Sequence, residues 1–166
     1  MIRIVIAEDQ EMLLGTLGSL LNLEEDMEVV GKACNGEEAL ILAHQLQPDI
    51  CLMDIEMPEK SGLDAAEALM PYGCKVIILT TFARNGYFNR AIKADVRGYL
   101  LKDIPSEELA CSIRNIMDGK RIYSNELIDE EQLDAQGITT HQNQHDQKTV
   151  KNYFSTFIEK MKLPTG

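Results

Sequence analysis

Short runs of Ile, Val and Leu alternate, over roughly the first three quarters of the chain, with stretches whose apolar positions recur every three or four residues. The runs Ile2 to Ala7, Met27 to Ala33, Asp49 to Met53, Lys75 to Leu79 and Arg97 to Leu100 have the length and composition of strands. Helical spacing fills the gaps, at Gln10 to Asn22, Gly36 to Gln45, Leu63 to Leu69, Gly86 to Lys93 and Pro105 to Met117. The last of these has Ser106 near its cap and Glu107 and Glu108 in its first turn, where carboxylates interact favourably with the helix dipole, and Gly119 closes it. Regular alternation of strand and helix predicts an α/β chain with a parallel sheet, right-handed crossovers and helices on both faces. The expected architecture is a flavodoxin-like (βα)5 doubly wound sheet with strand order 2-1-3-4-5. On the first helix Met12, Leu13, Leu17 and Leu20 read as the buried stripe, with Leu14 and Leu21 widening it towards a partner surface.

The pattern breaks after Tyr123. Residues 1–122 read as one domain and 123–148 as a polar linker rich in Glu, Asp, Gln, Asn and His. In 149–166 helical spacing returns: Val150, Tyr153, Phe154, Phe157, Ile158 and Met161 form one apolar stripe before Pro164 stops it. A lone helix of that length is marginal and needs a surface to pack on.

Composition narrows the function. The chain has 166 residues, 45% hydrophobic, and a formal net charge of -11. That charge argues against tight nucleic-acid binding by the chain as a whole, because phosphate contacts need clustered Lys and Arg; local basic patches stay open. Cys34, Cys51, Cys74 and Cys111 form no C-x-x-C pair and read as buried free thiols, which suits a reducing cytoplasm. The apolar run at the N-terminus is too short for a signal peptide or a spanning helix, so no membrane association is expected.

The chemistry gathers at strand ends. Glu8 and Asp9 follow the first strand, Asp54 the third, Thr80 the fourth and Lys102 the fifth. In a parallel sheet these ends share one crevice. Crowded carboxylates repel without a cation, and their oxygens suit hydrated Mg²⁺, with Asp9 and Asp54 as direct ligands. A carboxylate can also accept a phosphoryl group, with Lys102 neutralising its oxygens and Thr80 donating a hydrogen bond. An acidic pair after a strand is most often a helix N-terminal charge pattern, but its joint occurrence with Asp54, Thr80 and Lys102 sets that reading aside. His141 and His145 have helical spacing but no further ligands and read as solvated.

The stretches IVIAEDQ, DICLMDIEMP, VIILTT and GYLLKD occur in this order and resemble the receiver domains of two-component response regulators. The resemblance implies that Asp54 is the phosphoacceptor, that Glu8, Asp9, Asp54 and the backbone carbonyl of Glu56 hold Mg²⁺, and that Thr80 and Tyr99 form the switch. It also implies a sensor histidine kinase as partner and a phosphorylation-dependent homodimer, with Leu14, Leu21, Ile113 and Met117 as one candidate surface and the region around Tyr99 as another. Such a protein is not an enzyme beyond self-phosphorylation from small donors and self-dephosphorylation. The run GYLLKD is similar to the LuxR-type transcription regulators, whose helix after the fourth strand is usually followed by glycine where this chain has Asp95. The segment KTVKNY resembles their recognition helix, in which Lys148, Thr149, Lys151 and Asn152 would face DNA. The helices that normally support it are missing, so the tail reads as a remnant, and DNA is a partner only if that helix-turn-helix works. The alternatives are a receiver acting by protein contact alone, an aspartyl-phosphate phosphatase of the haloacid dehalogenase kind, and a flavodoxin-like FMN carrier.

Overall fold

A computed structural model describes residues 1–81 and 84–128. In chain order the elements are β1 (Ile2–Ala7), α1 (Glu11–Asn22), β2 (Met27–Ala33), α2 (Gly36–Leu46), β3 (Ile50–Met53), α3 (Gly62–Leu69), β4 (Lys75–Thr80), α4 (Tyr87–Lys93), β5 (Gly98–Leu101), α5 (Ser106–Met117) and β6 (Ile122–Tyr123). All strand pairs are parallel, and the sheet runs β2-β1-β3-β4-β5-β6. The expected order is present, extended by a sixth strand.

Alternation along each strand feeds two separate cores. Val5 and Ala7 of β1 join Cys51 and Met53 of β3 under α2, α3 and α4, where Ala39, Leu63, Ala66, Phe88 and Ala91 close the layer. Ile4 and Ile6 join Leu52 and Ile77 on the opposite face, under Leu13, Leu17 and Leu21 of α1 and Ile113 and Ile116 of α5. Strands buried on both faces are nearly continuous apolar runs, which is why the sequence shows them so clearly.

Helix starts follow local chemistry. The Asn35 side chain accepts from Glu38 N at 2.8 Å and caps α2, while the Glu38 carboxylate accepts from Cys34 N, one residue before the cap, at 2.8 Å. Ser61 Oγ accepts from Asp64 N at 3.1 Å and starts α3. At α5 the cap position is Pro105 and no side chain caps it; Ser106 is the first helical residue. Asp95, at φ 58, takes the left-handed conformation that glycine adopts without strain. Its carboxylate pairs with Arg121 and, at 3.2 Å, with Arg97.

Three expectations are corrected. Met12 is 61% exposed, whereas Leu14 and Leu21 are buried. Ile113 is buried too, so Leu14, Leu21 and Ile113 are core rather than a dimer surface. Cys34 and Cys111 are exposed, not buried. The fold also continues beyond 122: Tyr123 pairs with Tyr99 in the sheet, and Leu127 and Ile128 are buried. The candidate DNA-facing residues Lys148, Thr149, Lys151 and Asn152, together with His141, His145 and the helix expected at Thr149 to Lys162, lie outside the described residues.

Candidate functional site at the strand ends

Backbone pairing carries the chain past the strand ends and sets the acidic residues in place. Glu8 N donates to Ala33 O at 3.0 Å, and Asp54 N donates to Ala7 O at 3.1 Å. Lys102 N donates to Thr80 O at 2.9 Å, extending the β4–β5 pairing by one residue. The loop after β3 is held by Gly62 N, which donates to Ile55 O at 2.9 Å, and by Gly36 N, which donates to Lys60 O at 3.0 Å.

The side chains converge as the sequence predicts. Oxygens of Glu8, Asp9 and Asp54 all lie within 4.8 Å of one another, a group able to hold a metal ion. Lys102 Nζ lies 2.8 Å from Asp54 Oδ2 and 2.7 Å from Glu8 Oε2. Asp54 Oδ1 accepts from Ile55 N at 2.7 Å, and Glu8 Oε1 accepts from Gln10 N at 3.1 Å. Glu8, Asp54, Thr80 and Lys102 are buried, while Asp9 is open to solvent.

Burial dominates at Glu8 and raises its carboxyl pKa above the ordinary value of 4.5, even though Lys102 and Gln10 N stabilise the anion. Burial also works against the Lys102 ammonium, but the hydrogen bonds to Asp54 and Glu8 outweigh it and raise its pKa. Lys102 therefore remains a cation inserted between two buried carboxylates.

Asp9, Asp54, Thr80 and Lys102 line one open cavity of about 270 Å³ together with Gln10, Glu56, Thr81, Arg84 and Tyr87. The sequence alone does not single out Gln10, Thr81, Arg84 or Tyr87, although Thr81 follows β4 as directly as Asp9 follows β1. The sequence gives Glu56 a role only through its backbone carbonyl. Its carboxylate pairs with Arg84 Nη1 at 2.9 Å and accepts from the Tyr87 hydroxyl at 3.4 Å, spanning the mouth of the cavity. Tyr99 is wholly buried on β5, with its ring 5.8 Å from that of Phe88.

The response regulator receiver domain model matches residues 4–114. The chain belongs to the response regulator receiver family. It is a two-component response regulator. It is 54% identical over 182 residues to the transcriptional regulatory protein DesR of Bacillus subtilis, covering 98% of this chain and 92% of that one. The transcriptional regulatory protein YvfU of the same organism is 51% identical, with 97% and 91% covered. Among solved structures, the response regulator resembles a LuxR-family DNA-binding response regulator from Staphylococcus aureus at TM-score 0.67 and 37% identity, over 70% of this chain and 99% of that one. The receiver domain of NarL from Mycobacterium tuberculosis gives TM-score 0.68 at 26% identity, over 72% and 98%. Among the described residues no helix is long and apolar enough to cross a membrane.

Proposed function

We propose that Asp54 is the phosphoacceptor of this response regulator and that Glu8, Asp9, Asp54 and the Glu56 carbonyl hold Mg²⁺. The reading rests on one observation above the others: Lys102 bridges Asp54 and Glu8 at the rim of a cavity that Asp9 and Thr80 also line. The oxygen-only donor set fits a hard divalent cation with open positions. Such an ion, when bound, neutralises charge on the transferred phosphoryl group.

In the proposed transfer a carboxylate oxygen of Asp54 attacks the phosphorus of a phosphohistidine on the partner sensor kinase, and the phosphorus–nitrogen bond breaks. Lys102 neutralises one phosphoryl oxygen and the Thr80 hydroxyl donates to another, so both hold charge where it accumulates. Small acyl phosphates serve as donors in the same geometry, the bond between phosphorus and the acyl oxygen breaking and a carboxylate leaving. Movement of Thr80 towards the phosphoryl group, coupled to Tyr99, biases a dimer that controls transcription. We assign this action to the cytoplasm.

For the tail we propose a shortened output module. The alignment with DesR runs over 182 residues, more than the 166 of this chain, so it opens gaps here. Weak DNA contact through Lys148, Thr149, Lys151 and Asn152 is the corresponding expectation. Phosphoryl uptake from acetyl phosphate tests the site: Asp54→Asn abolishes labelling, and Asp118→Asn, at the far end of α5, keeps it. Equal labelling of the two variants overturns the assignment.

A further inference from the structure

Cys51 and Cys74 have no part in the site, yet the sheet brings them together. Ile50 of β3 stands opposite Lys75 of β4, so the residue before Lys75 lies diagonal to Cys51. The two sulfurs are 3.3 Å apart. Cys51 is wholly buried in the core beneath α2 and α3, whereas Cys74 is half-buried and reachable from solvent. Gly73, just before Cys74, takes the left-handed conformation at φ 74 and turns the chain into β4.

We propose that Cys51 and Cys74 are a peroxide-responsive dithiol that closes to an intramolecular disulfide, stapling β3 to β4. Either sulfur can donate in their contact, and that hydrogen bond, ahead of burial, sets which keeps its proton. The hydrogen bond to Cys74, and then burial, hold the Cys51 thiol protonated. The hydrogen bond from Cys51 favours the Cys74 thiolate against the opposing effect of its own burial. Cys74 therefore reacts first. Its thiolate attacks a hydroperoxide: the sulfur–oxygen bond forms, the oxygen–oxygen bond breaks, and an alcohol leaves with a proton, giving a sulfenic acid. The Cys51 sulfur then attacks Cys74, the sulfur–oxygen bond breaks, and the hydroxide departs with the Cys51 proton as water. Two electrons pass from the sulfurs to the peroxide. Bond formation requires the sulfurs to approach by about 1.3 Å from their 3.3 Å separation.

The test uses the full chain carrying Cys34→Ser and Cys111→Ser, treated with one equivalent of hydrogen peroxide. The expected product is a single chain lighter by two hydrogens, yielding a peptide that joins Cys51 to Cys74 and is split by dithiothreitol. In Cys51→Ala, Cys74 accumulates as a sulfenic acid captured by dimedone. Cys74→Ser, a change at a half-buried position, removes both products and decides the matter even if Cys51→Ala fails to fold. Oxygen addition at Cys74 without a link while Cys51 is present, or cross-links only between chains, overturns the proposal.

Discussion

A Cβ placed on Gly62 would lie 1.9 Å from the carbonyl oxygen of Asp54. The start of α3 is thus pressed against the backbone of the proposed phosphoacceptor, at a distance no other residue type permits. Gly62→Ala is expected to cost roughly 3 kcal/mol and to reduce phosphoryl uptake, because relief requires the Asp54 loop to shift. Gly15→Ala has no neighbour within 4 Å of the new methyl and lies inside α1, so it should stabilise by about 0.5 to 1 kcal/mol. Urea unfolding of both variants checks the contrast, and a Gly62→Ala protein as stable as the parent would contradict the packing.

Removing Lys102 leaves the Glu8 and Asp54 carboxylates buried without their cation. Lys102→Ala should destabilise the metal-free protein by about 3 kcal/mol. Millimolar Mg²⁺ should recover part of that loss, since a divalent ion takes over the neutralisation. Thermal midpoints with chelator and with Mg²⁺ test this; a deficit unchanged by Mg²⁺ would count against the metal site.

The raised pKa of Glu8 gives a pH dependence with a definite sign. Because the folded value lies above 4.5, its contribution to stability is fully present below 4.5 and is lost as pH rises through the raised value. Cation binding needs the ionised form. The increase in thermal midpoint on adding Mg²⁺ should therefore be small near pH 4.5 and grow as pH rises through the raised value. Glu8→Gln should flatten that curve.

The anchor beyond α5 can be tested by shortening the chain. A protein ending at 128 keeps Leu127 and Ile128 in the core, while one ending at 122 loses both and Tyr123 with them. The shorter protein should be less stable by about 2 to 4 kcal/mol, the cost of removing a large buried apolar side chain. Equal denaturation midpoints would show that the segment contributes nothing.

These contrasts also show what the chain announces in its sequence and what it does not. β1, β3 and β4 are legible because strands covered on both faces are built of almost nothing but Ile, Val, Leu and Met. The strand-end residues are legible because one parallel topology sends every strand's C-terminal end to the same edge. β6 is not, since two residues have no period and become a strand only by pairing with Gly98 and Tyr99. The face of α1 is ambiguous because Met12, Leu13, Leu14, Leu17, Leu20 and Leu21 cover more of the helix than one stripe. Only contact with the sheet and α5 selects Leu14 and Leu21 over Met12. The approach of Cys51 and Cys74 is a product of strand register, invisible at a separation of 23 residues.

The path of the chain after α5 has a mechanical meaning. Ser124 N donates to Tyr99 O at 2.8 Å, and the Tyr123 ring meets Phe88, which in turn meets Tyr99. The polypeptide thus leaves the sheet moored to the residue proposed to report the state of Asp54. A displacement that shifts the Tyr99 backbone loads its hydrogen bond to Ser124 directly, so the exit of the chain from the sheet and the proposed switch residue share one mooring.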